Sequence, residues 1–402
     1  MKSRDYFPQE VFAGEAPARY SPRVLIAPQR YIQGKGVLDQ VGRFLSVVPS
    51  TRPALLISER GLKRLGRGLF QSLGRVRVKP VTRVFAGECS DEEIKRHVAQ
   101  LRGHGVDALI AVGGGKCLDA GKCVAHCLAV PAVICPTLAS TDAPCSAVSV
   151  MYTPEGSFDR PWFFPNGPAL VVVDTGVVVR APVRYLVSGM GDAMSTFYEA
   201  RTCFRNPGAR TMIGARPTAA AVAIAELGAR LLFENGVRAL EAAAALKVNE
   251  AVENVVETNT LLSGIGFESG GLAAAHGVAQ VMPMIPYLHK NYLHGEMVAM
   301  GLLTHLCLEG QPGEARRIAE FFAEVGLPVH LGHLSLSADR HDRELDGIVR
   351  EALKIFFVHN EPFKVTAQKL KRALVQAHRL GMEVSREMGD EAYRRLHGAG
   401  AE

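Results

Sequence analysis

One aspartate and two histidines in this chain sit in surroundings that suit a divalent cation: Asp192 in SGMGDAMSTFYEA, His276 in GFESGGLAAAHGVAQ and His294 in YLHGEMVAMG. A carboxylate and two imidazoles from separate helices make a three-donor set for zinc with one position open, the catalytic rather than the structural type. Each residue also has a plainer role. Asp192 could cap a helix at its start, His276 could be a satisfied core histidine and His294 a loop residue. On composition alone, His289 competes as a ligand.

A second group could hold phosphate. In DALIAVGGGKCLDAGKCVAH, residues 107–126, Gly113, Gly114 and Gly115 stand where an apolar strand gives way to a helical pattern. Their spacing matches neither a P-loop nor G-x-G-x-x-G. Glycine lets the backbone approach a ligand closely, and the helix start offers unpaired N–H groups and partial positive charge. Lys116 adds a full charge. The competing reading is a plain turn in which Asp119 merely complements the helix dipole. Further on, PTLASTDAPCSAVSVMY (residues 136–152) gathers Thr137, Ser140, Thr141, Asp142 and Ser146 around two prolines, the composition of a fixed polar loop.

Elements of two textures must position these groups. Up to about residue 180, the short runs RVLIA, LLIS, RVRVKPVTRVF, DALIAV, AVIC and ALVVVD alternate with helical patterns, which predicts a mostly parallel sheet covered on both faces. From about Tyr185, long stretches such as RPTAAAVAIAELGARLLFE and RALEAAAALKVNEAVENVVETNTLL predict helices only. The expected division is an N-terminal extension over residues 1–22, an α/β Rossmann-like dinucleotide-binding domain over 23–182, and an all-α metal-binding domain over 183–402. Ligands of open α/β sheets bind beyond the carboxyl ends of the strands, so the cleft between the two halves is the expected site.

With 402 residues, 48% hydrophobic and 21% charged, the chain can bury a large core. Its net charge of +6 is spread out, which argues against nucleic acid, and the basic stretch Lys369 to Arg395 reads as a solvated helix surface. The start MKSRDYFPQE lacks the apolar centre of a secretory signal, and no apolar run reaches membrane-spanning length. A cytoplasmic protein with no membrane partner is expected. None of the eight cysteines forms a C-x-x-C pair, so they read as reduced packing residues.

Taken together, YIQG (31–34), GECS (87–90), VGGGKCLDAGK, PTLASTDAPCSAVSVMYTPEG, SGMGDAMSTFYEA, SGIGFESGGLAAAH and YLHGE resemble the NAD-dependent glycerol dehydrogenases, a zinc-using branch of the iron-containing alcohol dehydrogenase superfamily. The likeness runs from about residue 23 to about residue 380. It implies the dehydroquinate synthase-like fold of that superfamily and a homo-oligomer. It also implies that Asp192, His276 and His294 hold Zn2+, with Fe2+ as the alternative. Gly113, Gly114, Gly115 and Lys116 would meet the phosphates of NAD, while Thr137, Ser140, Ser146, Val148 and Tyr152 would line the dinucleotide. Asp142 would face the substrate hydroxyls and act with His276 at the reacting centre. Glu59 falls where the family usually has Asp; a carboxylate there accepts from the ribose diol and repels a 2′-phosphate, favouring NAD, although Arg60 beside it is compatible with NADP.

The implied reaction takes hydride from a metal-bound secondary alcohol, glycerol or a related small polyol, to NAD, with glycerol to dihydroxyacetone as the parent activity. The alternative is the same fold and metal in a specialised dehydrogenase or reductase, or in a dehydroquinate-synthase-like lyase. Thr196 occupies the position where many iron-type relatives carry a fourth ligand, and three ligands favour zinc. Three departures bear on the substrate: Ala279 replaces a usual histidine, Cys117 replaces Thr or Ser, and VMPMIPYLHKN is more apolar than expected. They imply a changed pocket or a larger, less polar substrate.

Overall fold

In the computed structural model, which describes residues 6–13, 17–338 and 343–398, the chain forms eight strands among those residues. They are β1 (Tyr31–Gly34), β2 (Pro53–Ser58), β3 (Val81–Phe85), β4 (Ala108–Gly113), β5 (Ala132–Pro136), β6 (Val148–Tyr152), β7 (Phe158–Phe163) and β8 (Leu170–Asp174). Six build one sheet in the order β1-β8-β5-β4-β2-β3, every pairing parallel, and β6 with β7 forms a separate antiparallel hairpin. The inner strands are unbroken apolar runs because helices cover both sheet faces. Between β2 and β4 the chain reverses its direction of travel across the sheet. Ligands of open α/β sheets bind beyond the strand ends at such a point, and the two strands beside it here end at Ser58 and Gly113.

Three expected elements differ. RVLIA forms no strand: Arg23 makes one isolated bridge to Arg216, and Ile26 spends its backbone N–H and C=O on the Ser269 hydroxyl. RVRVKPVTRVF yields only β3, because the helix Glu59–Arg75 takes its first residue and Arg77 adopts a left-handed φ of 58°. Within the loop read over 136–152, the last five residues are β6; its partner β7 reads FDRPWF, whose internal proline conceals a strand on an edge.

From Val183 onward the described residues form helices, with Val183–Arg205, Ala219–Ala244, Ser263–Gly270, Ala274–Ala279, His294–Leu308 and Ala367–Met388 prominent. The second alanine-rich stretch is divided, since RALEAAA closes the helix Ala219–Ala244 and Leu246 then turns left-handed at φ 56°. Of the expected extension, residues 1–5 and 14–16 lie outside the described residues. Its helix Pro8–Phe12 is tied down by Gln9 Nε2 donating to Met212 O at 2.7 Å. Every cysteine is a free thiol and all but Cys127 are buried, as packing residues are. No helix of the described residues is long and apolar enough to cross a membrane.

Candidate active site

Asp192, His276 and His294 meet. Asp192 lies inside the helix Val183–Arg205 rather than at its start, so it caps nothing; its carboxylate is buried. His276 comes from the short helix Ala274–Ala279, and His294 opens the helix His294–Leu308. His276 Nε2 stands 3.2 Å and His294 Nε2 3.5 Å from Asp192 Oδ1, and the three donor atoms lie within 4.8 Å of one another. Donors at about 2.1 Å around a tetrahedral cation are about 3.4 Å apart, so the two Asp–His spacings fit such an ion. Asp192 Oδ2 is also buried without a hydrogen-bond partner. His289 is exposed on another helix, Pro286–Asn291, and is not part of this group.

Glycines beside the ligands let these helices approach. A Cβ on Gly191 would lie 2.4 Å from Gly295 O, and one on Gly301 2.2 Å from Ala275 O, so each contact joins residues flanking or near two different ligands. No larger residue allows that approach.

Burial and neighbouring charges shift all three groups. Burial alone would lift the Asp192 carboxyl, but the imidazoles of His294 and His276 hold it below the usual carboxylate range. Burial would depress His276, and the carboxylates Glu199 and Asp192 reverse this and raise it well above the usual imidazole value. Burial, by contrast, lowers the His294 imidazole. Glu199, buried in the Asp192 helix, accepts from His276 Nδ1 at 2.5 Å. It was absent from the sequence-derived set, although its seven-residue spacing from Asp192 puts both carboxylates on one helix face.

Asp142 follows β5 and reaches the same place. It is buried, accepts from Ser263 Oγ at 2.9 Å, and has its carboxyl raised well above the usual range by burial and then by the Asp192 charge. Thr196 Oγ1 lies 2.8 Å from that Ser263 hydroxyl, so the residue at the fourth-ligand position supports Asp142 and adds no metal donor. A π-helical turn, Thr258–Leu262, immediately precedes Ser263, and Asn259 Nδ2 ties it to Ala139 O (2.9 Å) and Leu186 O (3.0 Å). Ala279, one turn after His276, is wholly buried, so a core methyl stands where the resemblance expects an imidazole.

The glycine turn caps β4. Gly114 is the N-cap of the helix Gly115–Leu128, and Thr137 N donates to Gly113 O at 2.9 Å, joining the ends of β4 and β5. A Cβ on Gly115 would meet nothing within 4 Å, which leaves open space at a helix N-terminus, beside N–H groups without intrahelical partners. Lys116 does not stand free: its ammonium pairs with Glu88 at 2.6 Å and lies 5.4 Å from the Tyr152 ring centroid. Glu59, the first residue of the helix Glu59–Arg75 that follows β2, is largely exposed and pairs with Lys63 at 2.7 Å. Thr137 and Ser140 are half-buried in the loop after β5, and Val148 and Tyr152 begin and end β6.

Ser146 points inward. Its hydroxyl is wholly buried, lies 3.0 Å from Ala143 O and 3.1 Å from Val148 O, two acceptors for its one proton, and accepts from Lys122 Nζ at 3.3 Å. Lys122 was also missing from the sequence-derived set. Its buried ammonium pairs with Asp119 at 2.9 Å and donates to Ala143 O (3.0 Å) and Val148 O (2.5 Å), while Asp119 Oδ2 accepts from Val150 N. Asp119 therefore clamps the loop and β6 instead of serving the helix dipole. Glu268, pushed up to about 7 by burial, accepts from Ala147 N in the same loop.

Residues 28–175 match the iron-containing alcohol dehydrogenase family. The chain is 42% identical to glycerol dehydrogenase of Escherichia coli over 91% of its own length and 99% of that protein's. For the Thermotoga maritima glycerol dehydrogenase the identity is 44%, over 89% and 97%. The crystal structure of glycerol dehydrogenase from Schizosaccharomyces pombe superposes with a TM-score of 0.85 at 33% identity, covering 91% of this chain and 93% of that one.

Proposed function

Because this chain belongs to the glycerol dehydrogenase family of iron-containing alcohol dehydrogenases, we propose that it oxidises glycerol or a closely related small polyol with NAD at a single zinc ion. The convergence of Asp192, His276 and His294 beside Asp142, at the carboxyl edge of the sheet, carries this reading. Zinc, when bound, supplies a Lewis acid that lowers the pKa of an alcohol, and NAD supplies the hydride acceptor.

The chain's own residues bind and orient. Asp192 Oδ1 and the Nε2 atoms of His276 and His294 would hold the cation, a three-donor set of the kind that catalytic zinc sites use. Asp142, with Oδ2 engaged by Ser263, offers its other oxygen to a second hydroxyl and so favours a vicinal diol over a simple alcohol. The N–H groups at the start of the helix Gly115–Leu128 would bind the pyrophosphate, with the Lys116–Glu88 pair beside that helix start. Glu59, which pairs with Lys63, would accept from the adenosine ribose. Subunits of this chain assemble into a homo-oligomer.

NADH formation at alkaline pH with glycerol, 1,2-propanediol, 2,3-butanediol and larger alcohols tests the proposal. Turnover of glycerol or of the diols is expected. Activity confined to larger alcohols would move the substrate assignment to the pocket altered by Ala279, and no turnover with zinc present overturns the proposal.

A further inference from the structure

The helix that delivers His276 begins without a cap of its own. Ala273 is its N-cap, so no side chain there can accept from the first N–H groups of Ala274–Ala279. Two carboxylates from elsewhere take that place. Glu199 Oε1 accepts from Ala273 N (2.8 Å) and His276 N (2.9 Å), and Glu361 Oε1 accepts from Ala274 N (3.4 Å). Glu199 then uses its second oxygen, Oε2, on His276 Nδ1 at 2.5 Å. One side chain thereby holds both the backbone and the ring of a single ligand.

Two buried carboxylates need a counter-charge. His305, three turns beyond His294 in the same helix and wholly buried, stands with Nδ1 2.9 Å from Glu361 Oε1 and Nε2 3.7 Å from Glu309 Oε2, near Thr202 Oγ1 at 3.4 Å. Arg201 closes the row on Glu309 at 3.2 Å. We propose that Glu199, steadied by His305 and Glu361, is a positioning residue that sets how tightly the His276 side of the site holds a divalent cation. This rests on the metal reading given above.

The mechanism is control of tautomer. Glu199 accepts at Nδ1, so one ring proton stays there; Nε2 faces Asp192, and its lone pair is the one a cation would take in place of a second proton. Glu199→Gln retains an oxygen for the two backbone N–H groups but turns an amide N–H2 toward Nδ1. Nδ1 must then accept, and the proton moves to Nε2, where it blocks the cation. The fold keeps its helix cap while the ligand loses its lone pair, which separates positioning from a structural role.

The test uses the full chain. Zinc affinity is read by competition with a chromophoric chelator, the Co2+-loaded visible spectrum reports ligand geometry, and NADH fluorescence titration reports cofactor binding. Glu199→Gln is expected to weaken zinc about 10–100-fold, to change the Co2+ spectrum, and to leave NADH affinity unchanged. Glu199→Asp, which keeps the acceptor, recovers part of the affinity. In zinc-loaded wild type, selectively labelled histidine NMR should show a slowly exchanging, downfield Nδ1 proton on His276, an observation independent of how any variant folds. Wild-type zinc affinity and Co2+ spectrum in Glu199→Gln, or no such Nδ1 proton in the wild type, overturn the proposal. A wild type that binds no divalent cation overturns the metal reading itself, and the proposal with it.

Discussion

The β-carbon that Gly113 lacks would lie 2.8 Å from Cys117 Cβ and 2.9 Å from its sulfur, whereas a β-carbon at Gly115 would touch nothing. Two glycines in one turn therefore serve different ends. Gly113 lets the helix fold back onto β4, and Gly115 keeps the approach to the helix N-terminus clear. Gly113→Ala is expected to cost about 1–3 kcal/mol through overpacking, seen as a lowered denaturation midpoint. Gly115→Val should leave that midpoint within about 0.5 kcal/mol and abolish NADH binding. Unchanged NADH affinity in Gly115→Val would remove the pyrophosphate from this turn.

Removal of the metal by a strong chelator should abolish activity and lower the melting temperature, and zinc should restore both. Binding to the folded state alone contributes about 4 kcal/mol when free zinc is a thousandfold above its dissociation constant. His294→Gln is expected to lose the zinc-dependent stabilisation, and His289→Gln to retain it, since His289 lies outside the cluster. Loss of zinc from His289→Gln would place the ion elsewhere.

Lys122 rivets the loop that carries Asp142. Replacing it with Met leaves Asp119 buried without its partner and frees Ala143 O and Val148 O, a loss of about 3–5 kcal/mol for a broken buried pair. The double variant Asp119→Asn/Lys122→Met should lose less than the sum of the single changes, because the two groups share one interaction. Strict additivity in urea denaturation would show that the pair does not act as a unit.

Acid should weaken the C-terminal packing. His330 and His333 are buried against each other, near His378, Asp390 and Tyr393, and burial pushes both imidazoles down to about 4. Their folded-state values lie below the unfolded value of about 6.5, so the stability they carry is complete above that pH and is lost as pH falls toward 4. A shift of this size corresponds to on the order of 3 kcal/mol for one group. Denaturation midpoints measured from pH 7.5 down to pH 4.5 should fall, and fall less in His330→Phe. His305 has the opposite sign: burial is outweighed by Glu361 and its neighbours, which raise it to about 9. Its contribution is complete below about 6.5 and is lost as pH rises through 9.

Much of the chemistry was readable in order along the chain. The runs LLIS, DALIAV, AVIC and ALVVVD become β2, β4, β5 and β8 because strands covered on both faces must be continuously apolar, a signal carried by composition. Asp192, His276 and His294 stood out as metal-binding types in the right surroundings. The hairpin β6–β7 did not, because Pro161 and the polar residues around it resemble a loop until a partner strand is known.

What the sequence by itself determined was the candidate donors, the glycine turn and the division between sheet-forming and helix-forming halves, since each depends on residue type and local period. Only the tertiary structure decided that Asp192, His276 and His294 meet while His289 stands apart, that Lys116 pairs with Glu88, that Ser146 turns inward to Lys122, and that Glu199 fixes the ring of His276. Those facts depend on atoms distant in sequence meeting within about 3 Å, in hydrogen-bonding range. That closeness comes from glycine-mediated helix contacts and shared buried charges, and local sequence period contains no record of either.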